Sequence, residues 1–256
     1  MSDHSSVDTA GSNARTEDLA DHKAQTVLEV DLKGRIFQLA NDETLHAVGA
    51  LQFSLPADSF TCIIGPSGCG KTTTLRMILG LDTQYEGLIT LPQRDLVAAV
   101  FQEPRLLPWR TVEQNIRLVL PASRSGEALD DLFAAFGLSE LRDFFPGQLS
   151  LGLARRAALA RAFVLEPQLL ILDEPFVSLD ESTAQRLRQL LMDLWQSRPT
   201  TALMVTHNVR EAATLADQIL VFSDRPTHVR KVVDITTPRS QRDAKVLDEI
   251  VHRVEE

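Results

Sequence analysis

The first 24 positions are polar, rich in Ser, Asp and Thr, with no repeating apolar spacing. Such a stretch buries too little surface to offset its ordering entropy, so 1–24 is expected to be a disordered tail and 25–256 the folded domain. From Thr26 the pattern changes. Leu28, Val30 and Leu32 alternate with Glu29, Asp31 and Lys33, the period of two that marks a half-buried strand. A second strand-like stretch, 46–55, runs up to Pro56-Ala57-Asp58, which reads as a turn. Short runs at 60–64, 96–101, 169–172, 202–205 and 219–222 are largely apolar on both faces, as strands buried under helices must be. After Asp180, Leu187, Leu190, Leu191 and Leu194 fall on one helical face, and Pro199 limits that helix. Residues 104–160 carry no convincing strand and read as helical, with an alanine-rich piece at 154–163. The expectation is an α/β fold: a mostly parallel sheet core, an antiparallel β N-terminal portion and a helical subdomain inserted at about 104–160.

Composition narrows the chemistry. The chain has 256 residues, 44 % hydrophobic and 24 % charged, with a net charge of −9. An acidic surface repels nucleic acid and anionic lipid, so no nucleic-acid partner is expected; the Arg155-Arg156 pair is the local exception to watch. The two cysteines, Cys62 and Cys69, form no CxxC pattern and suit a reducing compartment. No apolar stretch follows Met1 and no run of about 18 apolar residues occurs, so neither a signal peptide nor a membrane span is expected.

The sharpest signal is Gly65-Pro66-Ser67-Gly68-Cys69-Gly70-Lys71-Thr72, which fits GxxxxGK[ST] between a strand and a helix. Glycines let backbone N–H groups wrap a phosphate, and the helix N-terminus adds positive potential. Lys71 then neutralises β- and γ-phosphates and the Thr72 hydroxyl ligates Mg²⁺. Cys69 sits in that loop, either as an inert small residue or as a thiol whose alkylation would block nucleotide binding. A second signal closes the apolar run 169–172 with Asp173-Glu174-Pro175. Ligands collect at the carboxyl ends of such strands, so Asp173 is placed for Mg²⁺ and Glu174 to take a proton from attacking water.

With these motifs in order, the chain resembles the ATP-binding-cassette (ABC) ATPases. The resemblance implies the P-loop NTPase ABC fold, with ATP and Mg²⁺ bound. It gives nucleotide contacts to Gly65, Pro66, Ser67, Gly68, Cys69, Gly70, Lys71, Thr72 and Thr73. It makes Gln102 a Mg²⁺ and γ-phosphate sensor whose following loop touches a membrane subunit, and His207 the histidine that meets the γ-phosphate. Lys71, Glu174 and His207 are the expected catalytic set. Asp180, in Ser178-Leu179-Asp180, would cross a dimer interface as well as cap a helix. Phe37 is either an adenine-stacking ring or a core phenylalanine.

The family's LSGGQ signature is altered here to Leu149-Ser150-Leu151-Gly152-Leu153. Ser150 and Gly152, which in the family face the ATP of a second subunit, are kept. Leu151 replaces a glycine; if that position needs a positive φ, leucine costs about 1–2 kcal/mol and turnover should slow.

The stretch from Gln102-Glu103-Pro104 to Trp109-Arg110-Thr111, and the tail from Ser223-Asp224-Arg225-Pro226 to Thr237-Pro238-Arg239, resemble ATPases of nitrate, sulfonate and taurine importers. That implies an integral-membrane permease partner, a second and identical ATPase subunit, indirect dependence on a solute-binding protein, and a peripheral place on the cytoplasmic face of the inner membrane. The alternatives are a soluble non-transport ABC ATPase, which would call for a long coiled coil or two cassettes, and a low-turnover nucleotide sensor.

Overall fold

The computed structural model describes residues 26–40 and 42–256; the tail expected over 1–24 lies outside them. The N-terminal portion is an antiparallel sheet of β1 (Thr26–Gln38), β2 (Thr44–Val48), β3 (Leu51–Pro56) and, beyond the intervening β4 (Phe60–Ile64), β5 (Glu86–Thr90). The long β1 serves all three partners, with Val30 opposite both Phe53 and Ile89, and Phe37 opposite Leu45. Leu28, Val30 and Leu32 point into the core and the charged residues between them point out, as their alternation requires. The stretch 46–55 is two strands rather than one, because the chain turns at Gly49-Ala50 between β2 and β3. β5 carries too little apolar surface to stand out in the sequence; its residues are mostly exposed.

The second sheet has six strands in the order β10 (Val229–Asp234), β9 (Gln218–Phe222), β4, β8 (Thr201–Val205), β7 (Leu169–Asp173), β6 (Val97–Val100). All pairings are parallel except β10 with β9. The run expected at 96–101 is shorter, since residues 94–96 form a 3₁₀ turn. Alternation along these strands divides two cores. Phe60, Cys62, Leu170, Leu172, Ala202, Met204, Ile219 and Val221 face one side. Ile63, Leu169, Ile171, Leu203, Val205, Leu220 and Phe222 face the other, toward the antiparallel sheet.

Helices α1 (Lys71–Ile78), α2 (Val112–Arg117), α3 (Asp130–Ala135), α4 (Leu151–Phe163), α5 (Glu181–Ser197), α6 (Val209–Leu215) and α7 (Ala244–Glu255) complete the fold. Their starts are written locally. Thr111 and Gln114 form a reciprocal capping box, and Ser150, Asp180, Asn208 and Asp243 each accept a backbone N–H three residues on. α1 is closed by Gly80 (φ 67°), which donates to the Met77 carbonyl while Leu81 donates to that of Arg76. α5 buries Leu187, Leu191 and Trp195, and the Trp195 ring meets Phe60 edge-on with centroids 6.0 Å apart. Burying each such leucine is worth about 1.5–3 kcal/mol, so Leu191→Asp would detach this helix. Between β6 and β7 the described residues hold α2, α3, α4 and 3₁₀ turns but no strand. Val112, Ile116, Phe133 and Phe136 join the alanines of α4 in the first core, fixing this segment to the sheet.

Candidate functional site

β4 delivers the loop 65–70 at its carboxyl end and α1 leaves it at Lys71. Gly68 (φ 72°) and Gly70 (φ 124°) hold backbone conformations that only glycine adopts freely, and a Cβ on Gly70 would stand 2.6 Å from Thr227 Oγ1. The loop is propped from below. The Thr227 hydroxyl shares its hydrogen between the carbonyls of Cys69 and Ala47, tying β2 and the 223–228 turn to the loop. Lys71 is 6 % exposed, and its ammonium donates to the carbonyls of Gly65 (2.7 Å) and Pro66 (2.8 Å). Cys69 is buried, 2 % exposed, so the thiol is sealed beneath the loop rather than presented for alkylation.

β7 ends at Asp173, and Glu174 follows with φ 45° while its N–H donates to the Val205 carbonyl (2.9 Å). That left-handed turn sends the two carboxylates in different directions. Burial, then the neighbouring Glu174 charge, pushes the Asp173 carboxyl up; Lys71 and a hydrogen bond from the Thr72 hydroxyl oppose this. Glu174 Oε2 lies 3.4 Å from His207 Nδ1. Ser67, Gly68, Gly70, Lys71, Thr72, Thr73, Glu174 and His207 line one cavity of about 570 Å³. Thr72, Gln102 and Asp173 line a smaller one of about 280 Å³ beside it. Hydroxyl, amide and carboxylate oxygens are the hard donors that suit Mg²⁺. A larger cavity of about 750 Å³ lies along α5 and α6, but it has no phosphate-binding loop.

Ser150, Gly152, Asp180 and Phe37 stand apart from these cavities. Ser150 caps α4, accepting from the Leu153 N–H (3.3 Å). Asp180 caps α5, accepting from Thr183 N–H (3.0 Å) and the Ser182 hydroxyl (2.7 Å), which hold its carboxyl far below the usual range. Leu151 is the first residue of α4, not a positive-φ position, and its side chain is 41 % exposed. The backbone strain expected of it is therefore absent. Phe37 is partly buried against the second core, with the Arg35 guanidinium 3.9 Å from its ring centroid.

Three contributors were given no role at the site from sequence. Arg155, expected as a possible surface charge, is 4 % exposed. Its guanidinium donates to the carbonyls of Pro175 (2.6 Å), Val177 (2.6 Å) and Glu174 (3.3 Å), clamping the turn behind Glu174. Arg156 is partly buried and reaches the Phe136 carbonyl, so the pair forms no basic patch. Glu211 is buried and accepts from the Thr206 hydroxyl (2.6 Å), which in turn accepts from the Asn208 N–H (3.1 Å), bracing His207 from both sides. The pattern Asn208-x-x-Glu211, a capping signature, was the available clue. Thr227, the prop of the loop, carried no local signal.

Comparison with known proteins agrees with this geometry. The family model for ABC transporters matches residues 48–177. An aliphatic sulfonates import ATP-binding protein of Streptomyces avermitilis is 41 % identical over 228 residues, covering 88 % of this chain and 89 % of that protein. One from Bacillus subtilis is 37 % identical over 193 residues, covering 72 % of this chain and 76 % of that protein. Among solved structures, the dimeric post-hydrolysis ATP-binding cassette MJ0796, bound to ADP and Pi, superposes with a TM-score of 0.72 at 23 % identity. It covers 83 % of this chain and all (100 %) of that one, a likeness of fold.

Proposed function

Because this chain belongs to the ABC transporter family, we propose that it is the ATP-hydrolysing subunit of an importer for small solutes, aliphatic sulfonates being the class named for its relatives. The observation that carries the catalytic reading is the convergence of Lys71, Glu174 and His207 on one cavity above the 65–70 loop. Phosphoryl transfer needs little covalent help; positioning and charge stabilisation supply most of the rate. Lys71 exchanges the Gly65 and Pro66 carbonyls for β- and γ-phosphate oxygens, and the loop N–H groups hold the rest of the chain of phosphates. Glu174 takes the proton from the attacking water, and His207, 3.4 Å from it, fixes its orientation and meets the γ-phosphate. Thr72, Gln102 and Asp173 would hold Mg²⁺, which when bound offsets charge on the phosphates.

Ser150, Gly152 and Asp180 lie off this cavity, which supports a second, identical subunit that completes it: Ser150 and Gly152 of each copy face the nucleotide of the other. ATP then stabilises the closed pair because that state binds it better. The exposed Trp109, in the loop after Gln102, supports a docking contact with a membrane-embedded permease. No helix among the described residues is long and apolar enough to cross a membrane. The reading therefore puts the subunit on the cytoplasmic face of the inner membrane, held by the permease, with a solute-binding protein supplying cargo from outside.

The test is purification of the tagged chain from gently solubilised native membranes, with ATP turnover and labelled alkanesulfonate uptake compared between the natural protein and Lys71→Ala. A co-purifying permease, and uptake lost with Lys71, support the proposal. Full uptake with Lys71→Ala, or no membrane partner, refutes it.

A further inference from the structure

We propose that Arg225 is a further nucleotide-binding residue, whose guanidinium contacts the phosphates held by the 65–72 loop. The inference rests on the ATP site described above and adds a contact to it. Arg225 sits in the turn between β9 and β10, and that turn is rigidly mounted. Ser223 N–H donates to the His228 carbonyl (3.0 Å), and His228 N–H returns to Ser223 Oγ (3.0 Å). The Gly49 N–H donates to the Thr227 carbonyl (2.9 Å), and the Thr227 hydroxyl reaches the Cys69 carbonyl inside the phosphate loop. Two residues from that anchor, the side chain of Arg225 reaches the loop itself, with Nη2 3.4 Å from where a Cβ on Gly68 would stand. It forms a wall of the same cavity as Ser67, Lys71, Glu174 and His207.

The guanidinium is also uncommitted. Arg35, Arg188 and Arg239 are each engaged by a carboxylate, at 2.9, 2.5 and 2.8 Å. Among the described residues no hydrogen bond or ion pair engages that of Arg225. Its formal charge matters here. Lys71 and Glu174, the other formally charged side chains on this cavity, offset each other, so Arg225 leaves it net positive toward a polyanion. A planar guanidinium offers paired N–H donors to phosphate oxygens, which a point charge does not.

The experiment is equilibrium binding of a fluorescent ATP analogue to the purified full-length protein, with ATP, ADP and adenosine as competitors, for the natural chain, Arg225→Gln and Arg225→Lys. One exposed charge-assisted contact should weaken ATP and ADP binding by about tenfold in Arg225→Gln. Arg225→Lys should recover part of the loss, adenosine should compete equally well in all three, and the salt dependence of ATP binding should become shallower in Arg225→Gln. Thermal melting without nucleotide should stay unchanged, since the side chain supports nothing else. ATP affinity within twofold of the natural chain in Arg225→Gln, or an equal loss for adenosine, overturns the proposal while leaving the ATP site standing. No nucleotide binding by the natural chain would remove both.

Discussion

Replacing Arg155 by Met separates fold from chemistry. The natural guanidinium is buried, makes three bonds to carbonyls of the turn 174–177, and leaves its Nε without a partner. No carboxylate pairs with it among the described residues. Hydrogen bonds to a charged group are worth about 1.5–3 kcal/mol each, so the three together contribute roughly 5–9 kcal/mol before offsets. Desolvating an unpaired cation costs several kcal/mol, which methionine avoids while filling much of the same space. The net loss should be about 2 kcal/mol, a fall in Tm of roughly 4–8 °C for a chain of this size. Turnover should respond more strongly. Glu174 (φ 45°) lies in the turn and Ser178 (φ 62°) directly after it, conformations that relax once the clamp is gone. A displacement of about 1 Å at the carboxylate proposed to activate water costs on the order of 100-fold in kcat. Nucleotide affinity, set by the 65–72 loop, should change by less than about twofold. Melting, nucleotide titration and steady-state phosphate release check all three. A variant with natural kcat, however stable, would refute the claim that Arg155 positions Glu174.

Glu174→Gln should lower turnover by about 100- to 10,000-fold while ATP still binds, measured by phosphate release against analogue binding. Gly152→Ala places a Cβ 2.8 Å from Thr183 Cγ2, a stiff β-branched group, and should cost about 1–3 kcal/mol by overpacking. Thr183→Ser in the same chain should recover most of it in a denaturant melt, and equal, additive losses would contradict the packing argument. Burial, the largest influence, raises the Glu211 carboxyl above its ordinary 4.5, against the pull of Thr206 and Arg188. The folded state then binds more protons than the unfolded one between 4.5 and the folded pKa, so stability falls as pH rises through that window. Glu211→Gln removes this slope and should gain on the natural protein with rising pH; parallel stability curves would contradict it.

Much of this was written locally. The parallel strands announced themselves because both faces are covered, and the caps at Ser150, Asp180 and Asn208 sit where short polar side chains meet helix starts. Lys71, Thr72, Asp173 and Glu174 could be proposed because phosphate chemistry demands fixed residue types next to strand ends; His207 came only from the family resemblance. What escaped was long-range or compensated. β5 is held by β1 rather than by its own pattern, and β10 and α7 lie beyond the last strongly apolar strand. Arg155 reads as surface charge until three carbonyls twenty residues away claim it. Leu151 looked strained only because a glycine was expected; as the first helical residue after a serine cap it needs no special backbone. Cys69 read from its loop position as an inert small residue or a reactive thiol, and its burial at 2 % exposure, set by the tertiary fold, favours the first.

The strand order has a consequence for how the protein is made. β4, which carries the phosphate loop, lies between β8 and β9, so both its hydrogen-bonding edges wait for chain that follows about 140 residues later. At about 5–20 residues per second, that leaves a strand buried along its whole length in the folded protein unpaired for roughly 7–30 s of translation. During that interval the growing chain holds the 65–72 loop but no finished nucleotide site, since His207, Arg225 and Thr227 have yet to appear. Ribosome-bound intermediates should therefore need shelter from chaperones across this span, and acquire nucleotide affinity in one late step once the chain has passed residue 227.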